Sequence, residues 1–73
     1  MPKLPIVTSL EAIRAFERLG WTINRRKSSH TTLVKRGSLS VLTVPEKREM
    51  PRGTLRTLIR LAGISVEDFI RAL

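Results

Sequence analysis

The chain has 73 residues, fourteen Lys and Arg against six Asp and Glu, a formal net charge of +8 and no Cys. This length holds one small domain, expected over 1–73, which buries only about 60% of its unfolded surface; disulfides and Cys-based zinc sites are excluded. No apolar run approaches the roughly 18 residues of a membrane span, and Met1-Pro2-Lys3-Leu4-Pro5 lacks a signal-peptide core, so the expectation is a soluble cytoplasmic protein. A pI of about 11.6 meets the charge criterion for a nucleic-acid binder. An acidic protein partner fits the same charge. Trp21, Phe16 and Phe69 are the only aromatics, so the core is expected to be mostly Leu, Ile and Val.

Thr8 and Glu11 have capping-box spacing and open a first helix. Leu10, Ile13, Phe16 and Leu19 follow as its apolar face, and Gly20 closes it. Three strand-like segments come next, at Trp21–Arg26, His30–Lys35 and Leu39–Val44. The short turns Lys27-Ser28-Ser29 and Arg36-Gly37-Ser38 imply an antiparallel meander. Pro45, with no N–H for a ladder, ends the third strand. After a charged loop, Leu55, Leu58, Ile59 and Ala62 mark a second helix ending at Gly63. Ser65 and Asp68 cap a short third helix, with Ile64 and Phe69 placed as its hydrophobic staple. The order α-β-β-β-α-α makes an α+β domain, a three-stranded antiparallel sheet with helices packed on one face.

The chemistry centres on His30, the single His, directly after Arg25-Arg26-Lys27-Ser28-Ser29. Imidazole titrates near ~6.5, which suits proton transfer. Adjacent cations can stabilise charge on a phosphorane. RNA cleavage of this kind requires no metal, and a lone His with few nearby carboxylates makes a poor metal site. No cofactor is called for. The plain alternative for His30 is an ordinary strand residue, and for the cations a solvated turn. Strict alternation sends Arg25 and Arg26 to opposite faces, leaving at most one beside His30. Arg52, Arg56 and Arg60 form a ridge on the second helix, either solvated or facing a phosphate backbone. Gly53-Thr54 at that helix start presents N–H groups a phosphate could use. Trp21 is read as core rather than as a base-stacking platform.

Five segments carry a family resemblance: Gly20-Trp21, Arg25-Arg26-Lys27-Ser28-Ser29-His30, Thr43-Val44-Pro45, Gly53-Thr54-Leu55-Arg56 and Ala62-Gly63-Ile64-Ser65-Val66-Glu67-Asp68-Phe69. With these segments in this order the chain resembles the HicA family of bacterial and archaeal toxins. That resemblance implies a double-stranded-RNA-binding-domain-like fold and metal-independent cleavage of mRNA. It also implies a role in stress response, and makes His30 the catalytic residue. The implied partner is a HicB-like antitoxin that covers the active surface. Three positions depart from the family pattern: Ser28 replaces a Gly, Thr31 stands where many members have a second His, and Lys47 where many have another.

The leading expectation is a toxin-type endoribonuclease with His30 as general acid or base. Arg25, Arg26, Lys27, Ser29, Lys47, Arg52, Arg56 and Arg60 would bind RNA. The alternatives are a non-catalytic RNA-binding module of the same fold, and a basic interaction protein for an acidic partner.

Overall fold

A computed structural model describes residues 3–73. The Met1-Pro2 start of the segment read against a signal peptide lies outside the described residues. The elements run α1 (Ser9–Arg18), β1 (Thr22–Lys27), β2 (His30–Val34), β3 (Leu42–Pro45), α2 (Arg52–Leu61) and α3 (Val66–Ala72). The sheet has the order β1-β2-β3, antiparallel throughout. This is the α+β, double-stranded-RNA-binding-domain-like arrangement expected from the sequence.

Local chemistry explains the helix ends. The Thr8 side chain accepts from the Glu11 N–H, and the Glu11 carboxylate accepts from the Thr8 N–H, completing the capping box. At the other end Gly20 takes a φ of +100°, the left-handed region that L side chains avoid. Its N–H donates to Glu17, and the next N–H, of Trp21, reaches back to Phe16. This is a Schellman closure, with Trp21 buried as its apolar member. Because Trp21 spends its N–H on the cap, β1 begins at Thr22 rather than at Trp21 as the alternation suggested. The Trp21 side chain lies in the core, as expected, with its indole Nε1 lacking a hydrogen-bond partner. Ser65 caps α3 by accepting from the Asp68 N–H.

One face of the sheet is covered. Leu33, Leu42 and Val44 are fully or almost fully buried, whereas Thr43, between the last two, is exposed. Against them lie Ala12, Ile13, Ala15 and Phe16 of α1, Leu55, Leu58 and Ile59 of α2, and Phe69 of α3. The Phe16 and Phe69 rings meet with centroids 5.2 Å apart, joining the first and last helices. The core extends before the first helix, because Leu4 and Val7 are buried and the Val7 carbonyl accepts from the Met50 N–H.

Two apolar assignments need correction. Leu10 is exposed, and Ala12 and Ala15 share the buried face with Ile13 and Phe16. A run of three-residue steps drifts by about 60° per step on a helix of 3.6 residues per turn, so Leu10 falls off the buried stripe. Leu39 is fully exposed, and β3 starts only at Leu42. The expected three-residue turn is a longer loop, in which the Ser38 hydroxyl takes the Ser40 N–H that a ladder would need. β2 ends at Val34, one residue earlier than expected, and β3 ends at Pro45, as expected, with Pro45 itself its last residue.

A candidate active site at the hairpin end

The β1–β2 hairpin positions the candidate residues. Lys27 pairs directly with His30, so the turn is only Ser28-Ser29 and Lys27 belongs to the strand. Two-residue hairpin turns demand positive φ at their first central residue. Ser28 supplies it at +53°, the only positive-φ residue besides glycine among the described residues. The replacement of Gly by Ser at this position therefore leaves the tight turn in place.

A bulge decides which cations face His30. Ile23 pairs with Leu33 and Arg25 with Thr32, so Asn24 is an extra residue without a partner. Direct partners in an antiparallel pair share a face. Ile23 therefore lies on the covered face with Leu33, and Arg25 on the open face with Thr32. Arg26 returns to the covered side opposite Thr31, and Lys27 joins His30 on the open face. The expectation that at most one of Arg25 and Arg26 sits on the His30 side holds, and Lys27 is a second cation there. On the other flank of His30 stands Pro45. One row across the sheet is Lys27, His30, Pro45, and the next row on the same face is Arg25, Thr32, Thr43. His30, Arg25 and Lys27 are all exposed. The Ser29 hydroxyl lies 3.5 Å from His30 Nδ1, at the long limit of a hydrogen bond.

Beside this row lies a depression of about 330 Å³ between the start of α1 and the hairpin end. Arg26, Ser28, Ser29 and His30 line it from the hairpin, Ser9 and Leu10 from α1, and Glu46 from the end of β3. A neighbouring depression shares Ser9, Leu10 and Glu46 and adds Lys47 and Arg48. Lys47 is thus brought toward the His30 region. Arg52, Arg56 and Arg60 are exposed on α2 and none of them lines the His30 depression. Arg52 borders a separate hollow with Ile6, Glu49 and Met50. Pro51 stands at the N-cap of α2 without a side-chain cap bond, and Gly53 and Thr54 lie in that first turn.

Three residues of this region escaped the sequence reading. Ser9 is buried, and its hydroxyl accepts from the Lys47 N–H. It lies 2.7 Å from the Pro45 carbonyl and 2.8 Å from the Lys47 carbonyl, so its single proton has two acceptors. Glu46 donates its N–H to the Ser29 carbonyl at 2.7 Å, pinning the turn to the end of β3. Arg48 adds a cation to the rim. Only the step after Pro45, where the strand must end, hinted at Glu46. Among the described residues no three His, Asp or Glu side chains lie close enough together to hold a metal ion.

No curated protein matches the chain. A family model described as the HicA toxin of bacterial toxin–antitoxin systems matches residues 10–64, three quarters of the chain, including the whole hairpin, β3 and α2. The chain, with its hairpin histidine and basic rim, belongs to the HicA toxin family.

Proposed function

We propose that this toxin is a metal-independent endoribonuclease that cleaves mRNA in the cytoplasm, with His30 as its general acid or base. The observation that carries the reading is the row formed by Lys27 and His30, with Arg25 one step along the same open face. Cleavage needs a proton-transfer group and fixed positive charge near the same phosphate. An exposed imidazole with one strand-mounted cation beside it and a second in the next row supplies both. Arg26, Ser29 and Lys47 bind the flanking phosphates, and Arg52, Arg56 and Arg60 extend the RNA footprint along α2. A HicB-like antitoxin neutralises the toxin by covering the His30 face. The family membership requires an antitoxin partner, and the net charge of +8 favours an acidic covering surface.

The test is scission of RNA in the presence of EDTA by the wild type and by His30→Ala. Cleavage by the wild type alone, with RNA binding retained in the variant, supports the reading. Equal cleavage by both removes His30 from the chemistry. Binding without scission by either protein favours the non-catalytic RNA-binding module, the outcome that Lys47 in the place of a family His would explain.

A further inference from the structure

Transesterification at one RNA phosphodiester needs two proton transfers, and His30 accounts for one. We infer that Glu46 is the second acid–base group of this site. The inference rests on the ribonuclease reading above and deepens it by dividing the roles.

Glu46 is the only carboxylate among the residues lining the His30 depression. It is exposed, and in a chain with so large a cationic excess it forms no ion pair among the described residues. The only ion pair among them joins Arg71 and Asp68 on α3. The side chain of Glu46 also makes no hydrogen bond there, unlike that of Glu11, which is spent on the α1 cap. Its backbone, in contrast, is held. Pro45 is the strand partner of His30, and the Glu46 N–H donates to the Ser29 carbonyl. Glu46 therefore sits one residue beyond the partner of His30, clamped against the residue that precedes His30. A carboxylate with no ion pair or hydrogen bond among the described residues, on a fixed backbone and lining the same hollow as the single imidazole, is a placement with no structural task. Arg26 on the same lining supplies the positive charge for a bound phosphate.

The division of roles follows from the side-chain types. Carboxylates accept protons at neutral pH, and imidazole is the side chain that carries a transferable proton there. Glu46 takes the proton of the 2′-hydroxyl. The 2′ oxygen forms a bond to phosphorus, the bond from phosphorus to the 5′ oxygen breaks, and His30 delivers its proton to that oxygen. The products are a 2′,3′-cyclic phosphate and a 5′-hydroxyl, and the enzyme is left with one proton fewer on His30 and one more on Glu46.

A substrate with sulfur in place of the bridging 5′ oxygen separates the two roles, because a thiolate leaves without being protonated. On ordinary RNA, Glu46→Gln and His30→Ala should each lose roughly 100-fold or more in cleavage rate, the range of a general acid–base group. On the sulfur-bridged substrate His30→Ala should regain most of its rate, and Glu46→Gln should stay slow. Thermal melting of both variants checks that they fold, which the exposed positions favour. If His30→Ala is inactive on ordinary RNA while Glu46→Gln cleaves at the wild-type rate, the inference is overturned and the ribonuclease reading survives. If the sulfur bridge rescues Glu46→Gln instead, the assigned roles are wrong. A wild type that cuts neither substrate overturns both.

Discussion

The hydroxyl of Ser9 lies 2.7 Å from the carbonyl oxygen of Pro45, the strand partner of His30. Through this one side chain the first turn of α1 holds the end of β3, and the end of β3 holds the hairpin turn through Glu46 and Ser29. The candidate site is thus braced by hydrogen bonds between residues far apart in sequence.

Replacing Ser9 by Ala removes the acceptor for the Lys47 N–H and the donor for two carbonyls. The expected loss is about 1–2 kcal/mol of stability, from partly buried groups left unpaired. Urea unfolding measures it. The variant should also cleave RNA more slowly at temperatures where it is fully folded, because the Glu46 end of the site loses its brace. Wild-type stability would show that the loop holds its shape without the hydroxyl.

Ser28 occupies a left-handed conformation that glycine adopts at little cost. Ser28→Gly should stabilise the protein by about 0.5–1 kcal/mol, the strain relieved less the extra entropy of an unfolded glycine. A rise in the urea midpoint at unchanged slope is the expected result. A fall would mean that the Ser28 side chain makes a contribution its exposed position does not suggest.

The two basic surfaces should separate in their effects on RNA. Arg25→Ala with Lys27→Ala removes the cations that share the face of His30. This pair should weaken binding, reduce the salt slope by roughly 0.7 for each single-strand phosphate no longer neutralised, and slow cleavage at saturating RNA. Arg56→Ala with Arg60→Ala should weaken binding but leave the saturated cleavage rate close to wild type, since both stand on α2, outside the strand rows of His30 and outside the depression beside it. Affinity titrations across a salt series and single-turnover cleavage check both. A slower saturated rate in the α2 pair would extend the active surface to that helix.

Much of the fold was legible because its signals are local. Thr8 with Glu11, Gly20, Gly63 and Ser65 with Asp68 satisfy the backbone groups of helix ends within a few residues, so their spacing is enough to place those ends. The stripe of Leu55, Leu58 and Ile59 reports a helix face without knowledge of what covers it. The exposed Leu10 and Leu39 show the limit of that approach, since an apolar side chain is buried only where another element reaches it.

The sequence by itself determined the element order, the helix caps, the excess of positive charge and the single imidazole close to three cations, because each depends on residue type and near neighbours alone. Only the tertiary structure decided which of those cations face His30. The bulge at Asn24 exists through pairing with β2, and it turns Arg25 and Lys27 onto the open face and Arg26 onto the covered side, where it lines the depression beside His30. Only the tertiary structure, likewise, brought Ser9 and Glu46 to the hairpin end. Their partners stand on other elements, and hydrogen bonds across such separations leave no period in the sequence.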